Sequence, residues 1–65
     1  MKIVINGDSI DTECSTLQEL LDSLEHAQTS VATAVNKEFV PVSMRTSLAL
    51  QSGDLVEIIA PMSGG

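Results

Sequence analysis

The chain has no tryptophan, no tyrosine, one phenylalanine (Phe39), one cysteine (Cys14), one histidine (His26) and three basic residues among 65. Each scarcity excludes a class of activity. A single thiol makes no internal disulfide, and with one histidine beside it no metal cluster, so the chain asks for no oxidising compartment. Cys14 is expected to be a buried or partly buried structural thiol. His26 has no acid or nucleophile at a spacing that would make it catalytic, and is expected to cap or decorate a helix exit. Three bases against nine acids leave a formal charge of -6, which argues against nucleic acid, whose phosphates need cations. The acidity favours a partner with a basic surface and equally serves solubility. Apolar runs are short as well. Met1 to Ile5 gives way at once to Asn6-Gly7-Asp8, too soon for a signal peptide, and nothing approaches the roughly 20 apolar residues of a membrane span. The expected location is cytoplasmic, with no membrane contact. The length allows one domain that buries about 60% of its unfolded surface, without room for a deep catalytic cleft. Asp11, Glu13, Asp22 and Glu25 show no pairing with a base or metal ligand, so nothing marks an autonomous enzyme, a bound cofactor or a metal.

What is present is aliphatic. A hydrophobic content of 43% separates the chain from disordered sequences and predicts a thin core of Leu, Ile and Val with Phe39 as its one aromatic. Lys2 to Asn6 and Ser9 to Glu13 read as two strands joined at Asn6-Gly7, a pair suited to the positive φ angles of a type I' hairpin turn. Asp8 leaves the loop length open by one residue. Thr16 followed by Glu19 forms a capping box, with Ser15 as the competing cap. Leu17, Leu20, Leu21 and Leu24 recur on one side of a helix of roughly two and a half turns, the core-facing stripe, with Gln18, Asp22, Ser23 and Glu25 opposite.

Val31 to Val35 reads as a strand whose Ala32 and Ala34 leave one face open to close approach by a helix or strand. Asn36-Lys37 is a turn, and Glu38 to Val40 a return strand ended by Pro41. Val42 to Ala49 is ambiguous, with room for a helical turn around Met44 to Ser47 and with Leu48 and Leu50 as anchors. Gln51 to Asp54 is a turn. Leu55 to Ala60 is the last strand, Val56 and Ile58 on one face and Leu55, Glu57 and Ile59 on the other. If Val56 and Ile58 meet the leucine stripe, Leu55 and Ile59 lie outside, either as incidental apolar surface or as a docking patch.

Hairpin, helix, then further strands predict an α+β fold: a mixed sheet of four to five strands packed on one main helix, first and last strands parallel at its centre. This is a β-grasp arrangement. Residues 1–61 form the expected domain, and 62–65 a flexible tail ending in Gly64 and Gly65. Without Cβ atoms these glycines leave the terminal carboxylate unobstructed, which suits a substrate delivered into another enzyme's narrow site. Taken alone, the dipeptide is equally a frayed end or a cloning remnant. Met62 either meets apolar partner surface or folds back on its own sheet.

Thr16-Leu17-Gln18-Glu19-Leu20-Leu21, Val31 to Asn36 leading into Phe39-Val40-Pro41, Gly53 to Ile58, and Pro61-Met62-Ser63-Gly64-Gly65 together resemble the ThiS family of sulfur carriers in thiamine biosynthesis, over essentially the whole chain. The ubiquitin-like β-grasp group to which that family belongs also contains the usually longer small subunit of molybdopterin synthase. The resemblance implies that a ThiF-like enzyme uses ATP to adenylate the Gly65 carboxylate. A cysteine desulfurase or other sulfur donor then makes the thiocarboxylate, and the sulfur passes to thiazole synthase. Gly64 gives clearance, and Leu55, Glu57, Ile59 and Met62 are the docking candidates. Family members commonly carry arginine after the proline of the Val-Pro pair, where this chain has Val42 and reaches Arg45 only later. Three other readings stay open: delivery to molybdopterin or another acceptor, a noncovalent β-grasp binding module whose tail is never activated, and protein modification through an isopeptide bond.

Overall fold

A computed structural model describes residues 1–24 and 31–59. Its elements are β1 (Lys2–Ile5), β2 (Asp8–Asp11), α1 (Leu17–Ser23), β3 (Ala32–Val35), β4 (Glu38–Val40), a 3-10 turn at Val42–Met44, and β5 (Leu55–Ile59). The strands make one sheet in the order β2-β1-β5-β3-β4. β5 lies at its centre, parallel to β1 and antiparallel to β3. This is the β-grasp arrangement.

The first hairpin has a two-residue loop, Ile5 opposite Asp8, with Asn6 at φ 49° and Gly7 at φ 89°. The second turn repeats this geometry at Asn36 (φ 52°) and Lys37 (φ 70°). Asparagine tolerates the left-handed region better than other non-glycine residues; lysine is there because the turn requires it.

The helix begins at Thr16, whose hydroxyl accepts from the Glu19 N–H at 3.2 Å. The reciprocal half of the capping box is displaced by one residue. Glu19 Oε1 accepts from the N–H and hydroxyl of Ser15, both at 2.8 Å, so Ser15 and Thr16 share the role for which they compete in sequence. The remaining first-turn amides are satisfied from the crossover segment. Leu17 N–H donates to the Leu48 carbonyl at 3.1 Å and Gln18 N–H to that of Arg45 at 3.0 Å, leaving none of these helix-start donors orphaned.

Leu17, Leu20 and Leu21 are fully buried against Ile3, Val31, Val35, Val40, Leu50, Val56 and Ile58. Cys14 and Leu48 are partly buried beside them. Two expectations about the core are corrected. Leu24 is half-exposed, because the helix ends at Ser23 and Leu24 is its cap residue, where the stripe's geometry no longer holds. Phe39 is 71% exposed. It pairs with Ala34 on the sheet's outer face, whereas Val40 pairs with Thr33 on the inner one, so no aromatic enters the described hydrophobic core. Ala32 and Ala34 also face outward, between neighbouring strands, and no helix among the described residues crosses them. The helical turn of the crossover starts at Val42, two residues before the expected position, and Leu48 N–H still closes onto the Met44 carbonyl at 3.0 Å. β2 ends at Asp11, short of the expected Glu13. Residues 25–30, which contain Glu25 and His26, lie outside the described residues.

Candidate functional site

β5 carries the sequence toward the glycine pair, and its two faces divide the labour. Val56 and Ile58 enter the core, at 1% and 9% exposure. Leu55, Glu57 and Ile59 point outward and are exposed, Leu55 at 42% and Ile59 at 59%. Three of the four docking candidates therefore share the outer face, as alternation predicts. Met62, Gly64 and Gly65 lie outside the described residues, as does the expected boundary between residues 61 and 62.

Strand register extends that face beyond the residues singled out from sequence. Val4 stands beside Leu55 on β1, Ala34 opposite Glu57, Ala32 opposite Ile59, and Phe39 on the far side of Ala34. Phe39, Ala34 and Glu57 thus form a row across three strands. The alanines keep its middle low, so the aromatic ring and the β5 side chains stand on either side of a shallow strip. Beside it, Val4, Gly7, Lys37, Leu55 and Glu57 line a depression of about 210 Å³. Apolar and charged side chains share this depression, Val4 and Leu55 beside the acid Glu57 and the base Lys37. Phe39 and Val4 were missed as candidates. The available signal was an aromatic on a strand too short for alternation to choose its face.

Both left-handed asparagines grip β5. Asn36 N–H donates to the Leu55 carbonyl at 2.7 Å, and Asn36 Oδ1 accepts from Leu55 N–H at 3.0 Å. Its Nδ2 donates to Asp54 Oδ1, also at 3.0 Å. Asp54 Oδ2 in turn accepts from Gln51 N–H at 2.8 Å, which shapes the turn feeding β5. On the other flank, Asn6 N–H donates to the Val56 carbonyl at 3.0 Å and its side chain reaches Ile58. The central strand is thereby tied at both ends by side chains as well as by its neighbours' backbones.

Chemically, the described residues present a surface and hold a strand. Among the described residues no group of three His, Cys, Asp or Glu side chains could hold a metal ion. Cys14 Sγ lies 3.8 Å from the Ser23 hydroxyl at the helix's edge, away from the outer face. No described helix is long and apolar enough to cross a membrane.

Residues 3–65 match the ThiS family. The chain belongs to that family. Among its relatives, a protein named thiazole synthase from Paramagnetospirillum magneticum is 39% identical over 66 residues, covering all of this chain. The chain spans only 20% of that relative's length. The sulfur carrier protein ThiS of Escherichia coli is 29% identical over 66 residues, with both chains covered completely. The crystal structure of a ThiS thiamine biosynthesis protein from Geobacter metallireducens superimposes with a TM-score of 0.85 at 28% identity over the whole of both chains. A solution structure of a thiamine biosynthesis protein from that organism gives 0.80 at 30%, covering all of this chain and 88% of the other.

Val42, in place of the arginine common in the ThiS family, is 47% exposed. Arg45 instead turns inward. It is 2% exposed, with Nε donating to Thr33 Oγ1 at 3.2 Å and Nη2 to the Val31 carbonyl.

Proposed function

We propose that this chain is a sulfur carrier in the formation of the thiazole moiety of thiamine, acted on by enzymes and not itself one. The observation that carries the reading is a ThiS-family match over residues 3–65 that includes the final Gly64-Gly65. In this reading, residues 1–61 are the recognised body and 62–65 the reactive tail. A carboxylate is a poor electrophile until one oxygen becomes part of a leaving group. A ThiF-like enzyme supplies that group by joining the Gly65 carboxylate to AMP from ATP and releasing pyrophosphate. The terminal sulfur of a persulfide on a cysteine desulfurase or relay protein then displaces AMP to give an acyl disulfide, and two electrons from a thiol cleave its S–S bond to leave the thiocarboxylate. A sulfide-level donor displaces AMP and gives the thiocarboxylate directly. Gly64 brings no side chain against the walls of the nucleotide site.

Recognition energy comes from the outer face, remote from the reacting carbonyl, where binding holds the tail in place for chemistry. Leu55, Glu57 and Ile59 contribute from β5, Met62 from the tail, and Phe39 and Val4 belong to the same surface. The acidic balance of the chain speeds encounter with basic partners. Thiazole synthase is the proposed acceptor. Support comes from the relative of that name, one-fifth of whose length corresponds to this chain.

Reconstituted thiazole formation tests the assignment. Thiazole synthase with a sugar-phosphate precursor and a glycine-derived imine, the activating enzyme, ATP and a sulfur donor should produce thiazole phosphate with the full chain. Deleting Gly65 should abolish product while binding to the activating enzyme persists. Product formation undiminished by the deletion would reject the carrier role in favour of a noncovalent binding module. Transfer to a molybdopterin precursor, but not to thiazole synthase, would reject the proposed acceptor.

A further inference from the structure

β1 stops at Ile5 because Asn6 and Gly7 turn the chain back, yet β5 runs on to Ile59. The β1 side of Ile58 therefore lies beyond the end of its neighbour. The Asn6 carboxamide fills that place. Its Oδ1 accepts from Ile58 N–H at 2.9 Å, and its Nδ2 donates to the Ile58 carbonyl at 3.1 Å. A carboxamide offers the same donor and acceptor as a peptide group, so one side chain continues the parallel ladder. On the opposite side, β3 reaches Ile59 through Ala32.

We propose that Asn6 is a positioning residue for the chemistry at Gly65, fixing the end of β5 from which residues 60–65 depart. The proposal rests on the carrier reading. A partner that docks on the outer face must receive the carboxylate at a point set by the direction in which the chain leaves Ile59. A β5 end that frays spreads the carboxylate over more positions, so a smaller fraction of docked complexes holds it at the reacting atoms, where misplacement by about 1 Å can cost about 100-fold in rate. The docking face is held differently: Leu55 by Asn36, and the middle of β5 by β3 and by the backbone of β1. Loss of the Asn6 carboxamide should thus disturb turnover more than affinity.

Asn6→Gly keeps a residue at ease with positive φ and removes only the carboxamide. Asn6→Asp keeps the shape and the turn preference but sets a carboxylate oxygen against the Ile58 carbonyl. Val40→Ala serves as a control, since it weakens the shared core from β4, a strand that pairs with β3 and not with β5. Each variant is assayed for thiocarboxylate formation by the cognate activating enzyme with ATP and a sulfur donor, alongside amide hydrogen exchange at Ile58. Both Asn6 variants should expose the Ile58 amide to faster exchange and lower kcat by about 10-fold or more, with KM within about two-fold of the unaltered chain. Val40→Ala should retain kcat. Unchanged kcat in a folded Asn6→Gly chain, a loss confined to KM, or an equal loss of kcat in Val40→Ala would overturn the role of Asn6. If Asn6→Gly does not fold, Asn6→Asp decides by the same criteria. Failure of the unaltered chain to be thiocarboxylated would instead reject the carrier reading, and this proposal with it.

Discussion

The Arg45 guanidinium and the Thr33 hydroxyl meet inside the domain, Nε to Oγ1 at 3.2 Å, joining the crossover segment to the middle of β3. Both residues are essentially buried, Arg45 at 2% and Thr33 at 1%. Thr33 in turn donates its proton to the Val40 carbonyl at 2.9 Å, so the contact chains the crossover, β3 and β4 together. Buried charge is tolerated when its donors are satisfied. The planar fork of arginine lets one side chain serve Thr33 and the Val31 carbonyl at once.

Arg45→Ala should therefore cost roughly 1.5–3 kcal/mol, the range for hydrogen bonds to a charged group. Arg45→Lys should restore only part of this, because an ammonium is a point charge without the planar fork. Urea denaturation of the two variants measures both effects. Equal stability of Arg45→Ala and the unaltered chain would show that the buried guanidinium contributes nothing net.

Glu19 sets an acid limit on stability. The Ser15 backbone N–H, then the Ser15 hydroxyl, hold its carboxyl below the ordinary value of 4.5. The folded state therefore favours the carboxylate, and the unfolded chain takes up the proton at higher pH. The stabilising contribution is complete above about 4.5 and disappears as pH falls through the lowered folded value. Glu19→Gln has no carboxylate to titrate, so the difference in Tm between it and the unaltered chain should shrink as pH drops below 4.5. A difference independent of pH across that interval would contradict the assignment.

Phe39 and Leu20 should respond oppositely to truncation. Leu20 is fully buried, and Leu20→Ala should cost about 2–5 kcal/mol through lost burial and the cavity left behind. Phe39 is 71% exposed, so Phe39→Ala should change stability by less than about 1 kcal/mol while weakening association with the activating enzyme. Thermal unfolding and a titration with that enzyme separate the two. A large stability loss with unchanged association would place Phe39 in the core and remove it from the docking surface.

Local chemistry made much of this fold legible in sequence. Asn6-Gly7 specified its hairpin through positive φ, Thr16 and Glu19 marked the helix start, and alternation from Leu55 to Ile59 assigned the two faces of β5. What escaped depends on partners distant in sequence. Glu38 to Val40 has three residues, too few for alternation to choose a face, and the pairing with Thr33 and Ala34 decided that Val40 turns in and Phe39 out. The leucine repeat ran one residue past the helix, so Leu24 left the stripe. Nothing near Asn6 announces its bonds to Ile58, which lies 52 residues away. The buried position of Arg45 likewise follows from how the crossover folds over β3. The glycine pair was legible as a pattern because backbone freedom is a property of the residues themselves, whereas the outer face proposed for docking arises only when four strands align.

The central claim is that the Gly65 carboxylate is the reacting group, and intact-mass measurement tests it most directly. The chain is incubated with its cognate activating enzyme, ATP and a sulfur donor, beside a chain lacking Gly65. The account predicts a mass gain equal to replacing one oxygen by one sulfur, confined to the C-terminal fragment and absent from the truncated chain. No gain under conditions in which the same enzyme thiolates an established carrier, or a gain that persists without Gly65, would contradict it.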